Sequence, residues 1–253
     1  MELFRFRGSR PLIYGHRGAR AHVVENTMPS FERALDDGAD GIELDVRTSS
    51  DGAVVVMHDP DLKRMTGGRD TRKCATLLAR ELLEVELEDN KRAPLLADVL
   101  DWADARDVLV NVELKHDSHD LTALATGVAR LLRGRTRVAR RVMLSSFEPA
   151  LLARVAVLLP RVPRAFLVHK GQRFARTLLA PLLARTVSAA MLNPERTLCD
   201  PERVAAWRAR GLILNVWTVN HPGEVRDLAA LGVDGIITDD PAMARQASET
   251  SRS

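Results

Sequence analysis

The sequence predicts an α/β protein folded as a closed (β/α)₈ barrel, and three observations carry the prediction. The chain has 253 residues, close to the ~250 typical of such a barrel. Short β-like runs alternate with helix-like stretches, the order that gives parallel strands joined by crossover helices. Eight such runs occur, and eight βα units close a barrel. A doubly wound open sheet shares the alternation, but it calls for a glycine-rich phosphate loop after the first strand. Neither G-x-G-x-x-G nor a P-loop follows residues 11–18.

The elements follow in order. Residues 11–18 (PLIYGHRG) form the first run and 41–46 (GIELDV) the second. Residues 109–115, 141–147, 164–169 and 187–192 come next, and 211–219 and 235–238 close the series. Between the third and fourth runs, Leu121, Leu124, Ala125, Val128, Leu131 and Leu132 recur at the spacing of one helix face. After the fourth run, Leu151, Leu152, Val155, Leu158 and Leu159 repeat the pattern until Pro160 ends it. The spacer 59–112 is too long for a simple crossover. It holds a Gly67-Gly68 turn, a charged middle and a helix-like stretch over 94–105. Its first part, about 59–93, reads as a small insertion subdomain after His58. Its last part reads as a barrel helix, so that 1–253 form a single domain. The polar tail 246–253 is expected to fray.

Composition narrows the function classes. Hydrophobic residues make up 45% and charged residues 28%, a globular balance that excludes disorder throughout. No apolar run approaches the ~18 residues that span a bilayer, so stable membrane insertion is not expected. The N-terminus lacks an apolar leader segment. Cys74 and Cys199 form no C-x-x-C pair and no disulfide framework, which points to a reducing, cytoplasmic setting. The net charge is +3, but aromatics are only 4%. Base-stacking platforms are therefore scarce, and a small anionic molecule is a better expected partner than nucleic acid. Nothing in the pattern fixes an oligomeric state.

The chemistry gathers at strand ends. Residues two apart share a strand face, which puts Glu43 with Asp45, and Asn111 with Glu113 and Lys115. Charges alternating with aliphatics are out of place in a packed barrel unless they serve a site. Any one of these carboxylates is best explained by an arginine partner. Glu43, Asp45 and Glu113 together, at the ends of adjacent strands, favour a hard cation, Mg²⁺ or Ca²⁺. His16 and Arg17 end the first run, and His58 follows the strand-like stretch 53–57. Two histidines flanking a cation can divide the proton transfers, while Arg17 and Lys115 offset phosphate charge. The set describes metal-assisted phosphoryl chemistry. His22, His116, His119, His169 and His221 are assigned structural roles by default.

Six segments in order, GHRGAR…ENTMPSF (15–31), GIELDV (41–46), VVVMHDPDLKRMTGG (54–68), NVELK (111–115), VWTVN (216–220) and GVDGIITDDP (232–241), resemble the glycerophosphodiester phosphodiesterase family. The resemblance implies a TIM barrel with a small insertion after His58 and a divalent cation held by Glu43, Asp45 and Glu113. It matches His16 and His58 to the acid/base pair, Arg17 and Lys115 to phosphate contacts, and Trp217 to an aromatic at the pocket mouth. Glu25 and Asn26 match the E-N of the first motif, with Asn26 contacting a ligand or bracing the metal site. Val24 departs from the usual proline before E-N, and residues 93–96 (APLL) replace a P-T-L pattern, but neither touches the catalytic set. The implied reaction is hydrolysis of a glycerophosphodiester to glycerol 3-phosphate and an alcohol. A lysophospholipase D or related lipid phosphodiesterase on the same barrel is the nearest alternative. A catalytically silent phosphodiester-binding protein is another, and the complete histidine, acid and cation set argues against it.

Overall fold

A computed structural model of the chain describes residues 1–5, 10–172 and 180–249. Eight parallel strands follow one another round a closed ring: β1 (Leu12–His16), β2 (Gly41–Thr48), β4 (Leu109–Leu114), β5 (Val142–Ser146), β6 (Arg164–Val168), β7 (Met191–Pro194), β8 (Ile213–Val216) and β9 (Gly235–Thr238). Pairing of β1 with both β9 and β2 closes the ring. The ninth strand, β3 (Val54–Val56), runs antiparallel to the last residues of β2. The expected barrel is therefore present, with one short strand added at its rim.

Helices α1 (Met28–Asp36), α3 (Leu96–Arg106), α4 (Leu121–Arg133), α5 (Pro149–Leu158), α6 (Ala180–Thr186), α7 (Pro201–Ala209), α8 (Pro222–Ala230) and α9 (Pro241–Glu249) lie in the connections and after the last strand, while α2 (Ala79–Glu84) belongs to the insertion. Several start on side-chain caps. Thr27 accepts from the Ser30 amide, Asp120 from the amides of Thr122 and Ala123, and Asp200 from the Arg203 amide. The outward residues Ile42, Leu44, Val46, Val110, Val112 and Leu114 join one buried apolar cluster with α1, α3 and α4. This outward packing leaves Glu43, Asp45, Asn111 and Glu113 on the inner face. At the opposite end of the barrel Phe4, Tyr14, Leu109, Met143 and Ile213 form a separate buried cluster, so the N-terminal turn plugs the floor.

Two expectations are corrected. Residues 187–192 are not one strand, because β7 begins at Met191. Val187 and Ala189 are buried at the end of α6, where the Ala189 amide bonds back to the Ala184 carbonyl and Ser188 adopts φ +51°. The apolar run thus reflects a helix end. The tail does not fray from Gln246 either. Helix α9 continues to Glu249 with Ala247 and Ser248 buried, and residues 250–253 lie outside the described residues.

Within residues 59–93, Leu62, Met65, Cys74, Leu77, Leu82, Val85 and Leu87 gather with Val55, Met57 and Ala93 into their own small core. Among the described residues no helix is long and apolar enough to cross a membrane.

Candidate active site

Strand register builds the site. Glu43 is level with Asn111, and Asp45 with Glu113, across the β2–β4 pair. The three carboxylates Glu43, Asp45 and Glu113 converge so that one oxygen from each lies within 4.8 Å of the others. That spread suits the oxygen ligands of one Mg²⁺ or Ca²⁺ at metal–oxygen distances of about 2.0–2.6 Å. The chain then places His58 beside them by an unusual route. β2 overshoots the ring, β3 turns back along it, and the Met57 amide bonds the Asp45 carbonyl at 2.9 Å. His16 arrives from the end of β1, its Nε2 4.0 Å from Glu43 Oε2.

The turn after His16 explains the glycine that follows. Gly18 sits at φ +88°, and a Cβ there would lie 2.3 Å from Ser30 Oγ. Only glycine lets the loop fold onto α1. The same turn aims the Arg17 amide at Glu43 Oε2 (3.0 Å) and sends its Nη1 to Glu25 Oε1 (2.9 Å). Arg17 Nε lies 3.2 Å from Asp45 Oδ2. Lys115, just past β4, sits 2.9 Å from Glu113 and 3.4 Å from Asp45. Asn26 gives both ends of its amide to Asp45, donating to Oδ2 (3.0 Å) and accepting from the Asp45 amide (3.3 Å). It therefore backs the acid cluster instead of facing the cavity.

Both histidines are held through Nδ1 by a carboxylate: His16 by Asp239 and His58 by Asp59, each at 2.6 Å. Asn220 holds Asp239 in turn, bonding both Oδ2 and the backbone amide. Asp59 is gripped by Arg64, which also reaches Glu25. The buried Arg47, beyond Asp45 on the same strand, donates twice to the His58 carbonyl (2.9 and 2.6 Å) and pairs with Asp117.

Electrostatics separate the three acids. Burial, then Asp45 and Glu113, pushes Glu43 well above the carboxylate range. Burial and Asp45 push Glu113 up to about 7 against the pull of Lys115. Asp45 is buried too, but Lys115 and Arg17 hold it below its ordinary value. Burial lowers both His16 and His58, opposing their carboxylate partners.

These groups line a cavity of about 300 Å³ that includes His16, Arg17, Glu43, His58, Glu113 and Lys115. Its opposite wall is apolar and aromatic. Phe147 packs edge-on against Trp217, His116 and His169 at 5.5–5.8 Å between centroids, and the Trp217 indole donates to the Asn193 carbonyl. Two larger clefts border the insertion, but neither contains the acid cluster.

The sequence-predicted residues thus meet in one place, with Asn26 bonded to Asp45 and Glu25 paired with Arg17 and Arg64. Asp239, Asp59, Arg47, Arg64 and Phe147 were not singled out from the sequence. Asp59 follows His58 directly, and Asp239 lies in the quoted TDDP segment, so both were in view without a visible partner.

Comparison with known proteins finds relatives along nearly the whole chain. A glycerophosphodiester phosphodiesterase of Caldanaerobacter subterraneus subsp. tengcongensis is 32% identical over 238 residues, covering 92% of this chain and 95% of the relative. The crystal structure of a glycerophosphodiester phosphodiesterase from Thermotoga maritima matches with a TM-score of 0.78 and 28% identity, over 95% of this chain and 99% of that one. A phosphodiesterase of Oleispira antarctica, solved with the product sn-glycerol-3-phosphate, shares the fold at a TM-score of 0.84 and 22% identity, over 95% and 97% of the two chains. The model of the glycerophosphoryl diester phosphodiesterase family matches residues 16–243, from the first histidine of the site to the helix after β9. With nearly the whole barrel matched, the chain belongs to the glycerophosphoryl diester phosphodiesterase family.

Proposed function

We propose that the protein hydrolyses glycerophosphodiesters to glycerol 3-phosphate and an alcohol, using Mg²⁺ or Ca²⁺ held by Glu43, Asp45 and Glu113. One observation carries this reading: two carboxylate-backed histidines open onto a single cavity lined by a cluster of acids. When bound, the cation supplies Lewis-acid neutralisation of charge on the phosphate. Asn26 fixes the orientation of Asp45 toward that cation. Arg17 and Lys115 present fixed positive charge to the phosphate oxygens, Arg17 through a planar fork.

With Nδ1 committed to Asp239 or Asp59, each imidazole has Nε2 free for proton transfer. One histidine takes a proton from the nucleophile at Nε2. The other enters the reaction as an imidazolium held by its aspartate and gives its Nε2 proton to the leaving alkoxide, while the base's aspartate stabilises the imidazolium that forms on the first. Trp217, Phe147 and Leu167 shield the opposite side of the cavity from water. The two unpaired thiols support a reducing, cytoplasmic setting.

The test is a matrix of cations and substrates on chelator-treated protein. Glycerophosphocholine, glycerophosphoethanolamine and lysophosphatidylcholine are each assayed with Mg²⁺ and with Ca²⁺. Cation-dependent release of glycerol 3-phosphate from the first two is expected. Absence of any chelator-sensitive hydrolysis would sink the reading, and preference for the lysolipid would move it to a lysophospholipase D.

A further inference from the structure

The cavity contains polar atoms that neither cation binding nor proton transfer uses. Asn111 on β4 is 1% exposed and lines the cavity, yet among the described residues both Nδ2 and Oδ1 lack a hydrogen-bond partner. Ser145 on β5 is fully buried, lines the same cavity, and its Oγ also lacks a partner. Register sets Asn111 level with Glu43, and Ser145 level with Glu113, so both border the acid cluster. Buried polar groups are nearly always paired, and one left open toward a cavity awaits a partner from the ligand.

We propose that Asn111, assisted by Ser145, recognises the glycerol hydroxyls of the substrate and sets the enzyme's preference for glycerol-bearing phosphodiesters. The inference rests on the phosphodiesterase reading above and deepens it. The division of labour follows from chemistry. Arg17, Lys115 and the histidines address phosphate and protons, and the carboxylates address the cation. Asn111 and Ser145 carry no charge and move no proton near neutral pH, so they match neutral hydroxyls. A vicinal diol is complementary to an open carboxamide: one hydroxyl oxygen accepts from Nδ2 while the other hydroxyl donates to Oδ1. Because both ends of Asn111 are open, the match holds whichever way the amide is turned. Other asparagines near the site differ. Asn26 is spent on Asp45, Asn220 on Asp239, and Asn193 and Asn215 bond each other without lining the cavity.

The test compares kcat/KM for glycerophosphocholine with kcat/KM for bis(4-nitrophenyl) phosphate, a diester with no hydroxyl to recognise, in the cation-loaded enzyme. In Asn111→Ala the ratio of the two is expected to fall about 10–100-fold relative to wild type, with Ser145→Ala moving it in the same direction. Turnover of the aryl diester reports that each variant is folded and cation-loaded. If Asn111→Ala does not fold, Ser145→Ala, which deletes a single oxygen, decides by the same ratio. An unchanged ratio, whether both activities fall together or neither falls, overturns the assignment. Wild-type protein inactive on both substrates would overturn the phosphodiesterase reading, and this proposal with it.

Discussion

Replacing Glu113 by glutamine separates a strained acid cluster from an ordinary ion-pair network. In the cation-free protein Glu113 is held up to about 7, against 4.5 for a free side chain. Between those values the folded state binds more protons than the unfolded chain, so stability falls as pH rises through the window. Below the window both states are protonated and nothing is lost; above it the loss is complete. At 1.36 kcal/mol per pH unit, the loss is about 3 kcal/mol. Coulomb's law gives the same size independently. Two unit charges separated by the 4.8 Å span of the cluster repel by about 3 kcal/mol at an effective dielectric of ~20. Glutamine keeps the shape, and its carbonyl oxygen still accepts from Lys115, but the charge is gone. Thermal unfolding of chelator-treated wild type and Glu113→Gln at pH 5 and pH 8 reads the difference. The variant is expected to be near-equal at pH 5 and more stable at pH 8, by up to roughly 6–12 °C at ~2–4 °C per kcal/mol. Added Mg²⁺ or Ca²⁺ should raise the midpoint of wild type far more than that of the variant, and the variant should lose most activity. A variant less stable than wild type at pH 8 refutes the reasoning, because attraction to Lys115 would then outweigh repulsion among the acids.

Three further outcomes are expected. His16→Ala and His58→Ala each lose about 10²–10⁴-fold in kcat while keeping the fold, and Asp239→Asn falls in the same range by disturbing the proton at His16 Nδ1; near-normal turnover in purified variants with native circular dichroism would remove those residues from the mechanism. Arg47→Met strips the His58 carbonyl of both donors, costing about 1–3 kcal/mol in stability and lowering kcat more than it raises KM, whereas an effect on stability alone would deny it a role in placing His58. Leu62→Ala empties part of the insertion's core, worth about 2–5 kcal/mol; limited proteolysis should then cut first within 59–93, and cuts spread evenly over the barrel would contradict a separate small core.

Much of the architecture was legible because inward polar and outward apolar residues alternate along β2 and β4, and that period survives in one dimension. The acid cluster followed from the same alternation once both strands were aligned. Residues 187–192 misled because a helix end and a buried strand both present a short apolar run, and Ser188 in a left-handed turn separates them only in three dimensions. The partner of His16 was hidden for another reason. Asp239 lies 223 residues away and meets it only when β9 closes against β1. Arg47 looked like one arginine among many, and its role depends on the β3 return that brings the His58 carbonyl over it. Open amide ends such as those of Asn111 are a property of packing and leave no mark on the sequence.

The return of β3 along β2 has a consequence for how this protein can vary. The barrel strands close their ring without β3, and the excursion that follows hangs from the rim on its own apolar cluster. That cluster includes Met57, and Arg64 within the excursion grips the Asp59 that holds His58, so a change between Pro60 and Ala93 is felt at the proton-transfer residue through both links.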